Sequence, residues 1–159
     1  MNKLIIVVLL AVTLPSAVAA QNKEHHGQGY AFFAPTATSE GGYGLHFGVG
    51  GEGLVYKGMG VGGEVGYLGL AQNLSQGAGV FSPNVSYNFR RSSKVSPFLT
   101  GGYTLIANGS GAANGPNLGG GLHWWFKDHI GLRFEIRDQI LLDGGQFHVV
   151  GFRIGLSFR

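Results

Sequence analysis

The chain has 159 residues and a formal net charge of +3, it contains no cysteine, and only 12% of its residues are charged. The lack of cysteine excludes a disulfide framework and a thiolate metal site. The one cluster of positive charge, Arg90, Arg91 and Lys94, is typical of a solvated turn, so no nucleic-acid partner is expected. Thirty glycines without a collagen-like triplet, together with frequent aromatic residues, exclude collagen and a disordered linker.

Residues 1–20 have the pattern of a secretory signal peptide. Lys3 precedes an apolar run over residues 4–12, and small residues follow up to Ala19 and Ala20. This apolar run is shorter than the roughly 20 residues that a transmembrane helix needs. We therefore predict a signal peptide, 1–20, cleaved after Ala19 or Ala20, followed by a single domain, 21–159.

Eight segments alternate apolar residues with polar residues or glycine at a period of two, which predicts β-strands, and no segment has a helical period. The predicted strands are residues 28–34, 43–56, 61–67, 81–89, 98–105, 117–126, 130–137 and 149–158. Pro35 is predicted to end the first strand and Pro83 to lie near a strand start or bulge, because proline cannot donate to the ladder. The second strand is predicted to reach Tyr56 through a bulge, before a tight turn of Lys57 and Gly58.

The alternation is clearest in the last forty residues. Large apolar residues alternate in 130–137 with Arg133, Glu135 and Arg137, and residues 149–158 repeat the pattern. A strand with one clean apolar face and one charged face suits lipid on the outside and a polar interior. We therefore predict an all-β fold, an eight-stranded antiparallel up-and-down transmembrane β-barrel.

An even number of antiparallel strands brings both chain ends to the same side of the membrane. Periplasmic turns are predicted at 57–58, 90–96 and 127–129, and outer loops at 35–42, 70–77, 107–116 and 138–146. The outer loops are short, which leaves little material for an elaborate binding head or a plug.

Six charged residues are predicted to face the interior of the barrel. They are Glu52, Glu64, Arg133, Glu135, Arg137 and Arg153. Eight strands enclose a lumen just wide enough for side chains to fill, and burying an unpaired charge there is costly. These residues are therefore predicted to form a charge-paired structural network that closes the lumen.

No catalytic, cofactor or metal site is predicted. His123 and His148 are the candidate general bases, but no serine and acid accompany them at a suitable spacing. Residues 48–53 match GxGxxG, yet no helix follows that could hold a phosphate at its N-terminus. The adjacent His25 and His26 have no further ligands nearby in the sequence.

The run at 119–138, GGGLHWWFKDHIGLRFEIRD, resembles the penultimate hairpin of small outer-membrane β-barrels, the OmpA- and OmpX-like eight-stranded family. As a pattern, the resemblance extends over the mature chain. It implies a barrel in a bacterial outer membrane, with membrane lipid and the outer-membrane insertion machinery as partners. In that family a C-terminal aromatic residue is the insertion signal, and Phe158, followed by Arg159, would take this role. Members serve as anchors, adhesion or defence factors and lipid-modifying enzymes, so the resemblance implies no single activity.

The predicted function is structural or surface-interactive, with no catalysis and with the partner of the outer loops left open. One alternative is a narrow ion-conducting pore. The other is a soluble secreted barrel that binds an apolar ligand, as lipocalins do. This second alternative requires Phe134 and Ile136 to line a pocket and Arg133, Glu135 and Arg137 to face solvent.

Overall fold

The computed structural model describes residues 26–90, 93–143 and 145–159. Its eight strands are β1 (Gly27–Thr38), β2 (Tyr43–Tyr56), β3 (Met59–Leu70), β4 (Asn73–Asn88), β5 (Val95–Asn108), β6 (Gly111–Trp125), β7 (Ile130–Leu141) and β8 (Phe147–Phe158). Each strand pairs antiparallel with the next, and β8 pairs with β1 to close the barrel. The predicted fold class is therefore confirmed, whereas the predicted signal peptide, 1–20, lies outside the described residues.

The two ends of the barrel differ in their connections. The end at which β1 begins and β8 ends, called the terminal end below, has turns at 57–58, 89–94 and 126–129. The opposite end has connections at 39–42, 71–72, 109–110 and 142–146. Within the described part of the chain, no helix is long and apolar enough to cross a membrane.

The loops predicted at the opposite end are too long. β1 continues past Pro35, and β5 and β6 remain paired as far as Asn108 and Gly111. The observed connections replace the predicted loops 35–42, 70–77, 107–116 and 138–146. These predictions are wrong because the regular alternation of outward apolar and inward polar residues stops before the hydrogen-bonded ladder does.

Two prolines lie inside strands at places where the ladder is interrupted on one side. Pro83 pairs with Gly63 on β3, but its pairing with β5 is absent between Phe81 and Asn84. Pro35 has the same kind of gap toward β8. Because proline has no N–H to donate, it is tolerated at such gaps. The prediction that Pro83 lies near a strand start or bulge is therefore wrong, since the register is the same on both sides of the gap.

The hairpin between β2 and β3 has the predicted tight turn. Lys57 and Gly58 both have positive φ, 39° and 94°, which matches the right-handed twist of the flanking strands. The register shifts between Leu54 and Tyr56, as expected for the predicted bulge. Both features of this hairpin are confirmed.

The outside of the barrel is apolar. Large hydrophobic side chains point outward along every strand, and many are about half exposed, such as Leu99 at 56% and Ile136 at 59%. Arg133, Glu135 and Arg137 are buried inside instead. This is the reverse of the arrangement that the lipocalin-like alternative requires. An apolar surface of this extent is the lipid-facing surface of a transmembrane barrel rather than a water-exposed surface.

Candidate functional site

The lumen contains a cluster of ionised side chains that the β-strand period turns inward. Five of the six predicted interior charges are almost fully buried, with exposed fractions of 1% or 2%. They are Glu64 on β3, Arg133, Glu135 and Arg137 on β7, and Arg153 on β8.

These five side chains form one continuous chain of ion pairs, the lumen network. Arg137 Nη1 and Arg153 Nη1 both donate to Glu64 Oε1, at 2.9 Å and 2.7 Å. Arg137 Nε donates to Glu135 Oε1 at 2.5 Å, and Arg133 Nη2 lies 2.9 Å from Glu135 Oε2. Each carboxylate thus joins two guanidinium groups, and the network links three strands across the lumen.

Aromatic rings cover the network on its faces. The Arg133 guanidinium lies 4.2 Å from the ring centre of Tyr30 and 4.0 Å from that of Phe98. The Arg153 guanidinium lies 4.4 Å from the ring centre of Phe32. Cation–π contacts of this kind gain strength when water is excluded, so the rings stabilise the cations while filling the lumen.

A glycine makes room for the aromatic ring that touches the carboxylate. Tyr30 donates its hydroxyl to Glu64 Oε2 at 3.2 Å and lies across Gly50. A Cβ at Gly50 would come within 2.6 Å of the Tyr30 ring. The inward glycine is therefore a packing feature of the narrow lumen.

Glu52, the sixth predicted residue, is not part of the lumen network. Its carboxylate accepts hydrogen bonds from Gln28 Nε2, from Ser86 Oγ at 2.5 Å and from Asn88 Nδ2 at 2.9 Å. Neutral donors therefore satisfy this half-buried carboxylate near the terminal end. The sequence pattern assigns all six charged residues to the inner face, but it does not show that Glu52 lies outside the ion-pair network of the other five.

An apolar cluster, the apolar cap, lies in the lumen toward the opposite end. Its buried members are Val80, Ile106, Leu141 and Val149, and Leu68, Ala78, Ala113 and Phe147 pack against them. Sequence reasoning missed the cap because several of these residues lie in or beside the predicted loops. The period of two could have revealed them. Leu141 lies an even number of residues from Arg137, and Val149 lies an even number of residues from Arg153, so each lies on the inward face of its strand.

The two candidate histidines lie in different environments. His123 is 1% exposed inside the lumen, with ring contacts to Phe98 and Trp125. Its Nε2 lies 3.2 Å from Arg133 Nη1, and its Nδ1 lies 3.2 Å from Ser157 Oγ. His123 is therefore a packed member of the interior, out of reach of a membrane substrate.

His148 lies on the outer face near the opposite end. Its Nδ1 is 2.7 Å from Asp138 Oδ2, and its Nε2 is 3.1 Å from Gln146 Nε2. Sequence reasoning missed the contact with Asp138 because it assigned residues 138–146 to a loop. Among the described residues, no hydroxyl group is hydrogen-bonded to the His148 ring, and no group of three or more His, Cys, Asp or Glu side chains could hold a metal ion.

The fold is similar to solved structures of outer-membrane β-barrels. Neisserial surface protein A matches with a TM-score of 0.62 and 16% identity, over 83% of this chain and 94% of that one. The N-terminal β-barrel domain of Pseudomonas aeruginosa OprF matches with a TM-score of 0.60 and 13% identity, over 84% and 98%. The outer membrane enzyme PagL matches with a TM-score of 0.57 and 15% identity, over 82% and 99%.

At these identities the similarity establishes the fold alone. No protein-family model matches the chain, and none of the curated proteins matches it. The chain is thus an eight-stranded β-barrel of the outer-membrane type, as the sequence resemblance predicted. Because similar structures include both a surface protein and an enzyme, the fold does not assign an activity.

Proposed function

We propose that this protein is a bacterial outer-membrane barrel of structural or surface-interaction type, with a closed lumen and no catalytic activity. The observation that carries the proposal is the contrast between the two faces of the wall. The outer face exposes large apolar side chains, whereas the inner face buries a network in which every charged side chain has an ion-pair partner. Lipid around the barrel and a packed interior account for both faces.

The contents of the lumen favour a closed barrel over a narrow pore. The apolar cap lies toward one end, and the lumen network with its covering aromatic rings lies beneath it. An ion in transit would have to displace paired guanidinium groups and pass an apolar constriction. Both steps are unfavourable, because neither region offers it a replacement for its hydration shell.

The polar groups around His148 favour a structural role. A general base needs a nucleophile within hydrogen-bond reach of its free ring nitrogen. At His148 that nitrogen faces the amide of Gln146, and the nearby Ser39 Oγ accepts a hydrogen bond from the backbone N–H of His148 at 3.2 Å. The pair with Asp138 therefore ties β8 to β7 near the opposite end.

Phe158 is the proposed signal for the insertion machinery. It is the last residue of β8, is 48% exposed on the outer face, and pairs with Gly29 and Ile130. An outward aromatic ring at the end of the closing strand is accessible before the barrel closes. Membrane lipid then covers the same ring in the folded protein.

Surface interaction would use the rim of the opposite end, which is outermost in this proposal. Its connections, 39–42, 71–72, 109–110 and 142–146, are short and carry mainly glycine, serine and amide side chains. A rim of this size suits contact with a flat surface or an extended chain rather than enclosure of a ligand.

Electrical recording in planar lipid bilayers tests the closed lumen. Protein inserted into the bilayer is expected to produce no discrete conductance steps, because the cap and the lumen network leave no hydrated path. Insertion is verified separately by protease resistance of the barrel. Steps that appear with the wild-type protein and change in Arg137→Ala would contradict the proposal and favour the pore.

A further inference from the structure

Charged side chains outside the lumen are segregated between the two ends of the barrel. Among the described residues, the turns at the terminal end carry Lys57, Arg90, Lys94 and Lys127, which we call the basic collar. Asp128 is the one acid in those turns. The connections at the opposite end contain no lysine or arginine, and they carry Glu40 and Asp143.

The basic collar surrounds the terminal end. Lys57 lies between β2 and β3, Arg90 and Lys94 lie between β4 and β5, and Lys127 lies between β6 and β7. Lys57, Arg90, Lys94 and Lys127 are exposed. Every turn at this end therefore contributes a cation, and the positive charge is spread around the circumference rather than collected on one side.

Aromatic side chains lie directly beside the collar on the outer face. They are Tyr56, Tyr87, Phe89, Trp124, Phe126 and Phe158. The Lys57 ammonium lies 5.0 Å from the ring centre of Tyr56. Outward aromatic rings mark the level of lipid headgroups. The cations just beyond these rings are therefore at the level of the phosphates.

We propose that the basic collar binds the headgroups of anionic phospholipids in the leaflet at the terminal end. This inference rests on the proposed membrane insertion. Lysine and arginine attract anionic lipids electrostatically, and arginine adds charge-assisted hydrogen bonds to phosphate oxygens. A ring of cations around the circumference matches a shell of lipid, whereas a single acidic protein would contact one side.

The two tryptophans of the chain provide a local probe. Trp124 is 47% exposed on the outer face, whereas Trp125 is 5% exposed and points inward. Trp124 pairs with Val95, the residue after Lys94, and is close in sequence to Lys127. Quenching by lipids with brominated acyl chains should therefore report the lipids beside these two cations through Trp124.

The experiment compares vesicles that contain the same fraction of brominated phosphatidylglycerol or brominated phosphatidylcholine. The relative association constant at Trp124 is expected to favour phosphatidylglycerol by about fivefold, and high salt should reduce this preference. In the variant Lys57→Gln/Arg90→Gln/Lys94→Gln/Lys127→Gln the preference should fall sharply. The matched variant Glu40→Gln/Asp143→Asn, at the opposite end, should retain it.

Equal quenching by the two lipids in the wild-type protein would overturn the collar proposal, as would a preference that is undiminished in the fourfold variant. Brominated phosphatidylcholine also separates this failure from a failure of the proposed membrane location. If it quenches Trp124 but no preference exists, the barrel is inserted and the collar proposal is wrong. If neither lipid quenches Trp124, the proposed insertion is itself contradicted.

Discussion

Glu64→Gln is expected to lower the free energy of unfolding by about 3–5 kcal/mol, the usual effect of removing one partner from a buried ion pair. Glu64 Oε1 accepts hydrogen bonds from both Arg137 and Arg153, which are 1% and 2% exposed. The glutamine keeps the size of the side chain but leaves a single carboxylate, Glu135, to balance the three guanidinium groups of the lumen network. Urea unfolding of the barrel in lipid vesicles measures the change.

Glu40→Gln is the matched control for this prediction. Glu40 is an exposed residue of the connection between β1 and β2, and the same loss of charge there should change stability by no more than about 0.5 kcal/mol. If Glu64→Gln were as mild as Glu40→Gln, the lumen network would not contribute to the stability of the barrel.

Ile154→Arg is expected to destabilise the protein by about 2–4 kcal/mol in a bilayer, as an arginine on the lipid face near the midplane does. Ile154 lies in the middle of β8, is 44% exposed, and is paired with Phe33 and Phe134 on the neighbouring strands. Neither of these cross-strand partners has a carboxylate to pair with the new charge. The same urea titration in vesicles provides the measurement.

Leu74→Arg is the control that introduces the same charged side chain away from the middle of the membrane. Leu74 is similarly exposed, at 43%, but lies near the start of β4 at the opposite end. An arginine near the membrane surface should cost no more than about 1 kcal/mol. Equal costs at the two positions, or a neutral effect of Ile154→Arg, would mean that no apolar medium surrounds the middle of the barrel.

The inner and outer faces of the strands could be predicted because the side-chain period of a strand is two. Arg133, Glu135 and Arg137 alternate with large apolar residues, which is enough to place them inside. The partners within the lumen could not be predicted. Glu64 on β3 contacts Arg137 on β7 across the lumen. This contact depends on the register of every strand between β3 and β7, which the alternation of inward and outward residues does not give.

The ends of the strands could not be predicted from hydrophobicity for a related reason. Toward the opposite end the pattern inverts, because Asp138 and His148 face outward while Leu141 and Val149 point inward as members of the apolar cap. The expected contrast between lipid and polar interior is lost there, although the backbone ladder continues. The loop prediction 138–146 failed for this reason.

Single-cysteine labelling at two adjacent residues tests the two-faced wall of the barrel most directly, since the chain has no cysteine of its own. Leu99 is 56% exposed on the outer face, and its neighbour Thr100 is 4% exposed in the lumen. In vesicles, an apolar maleimide confined to the membrane should label Leu99→Cys and leave Thr100→Cys unlabelled until the barrel is unfolded. Labelling of Thr100→Cys in the folded protein would contradict the closed lumen. The membrane barrel itself would be contradicted if the protein remained in solution without lipid and a water-soluble reagent labelled Leu99→Cys.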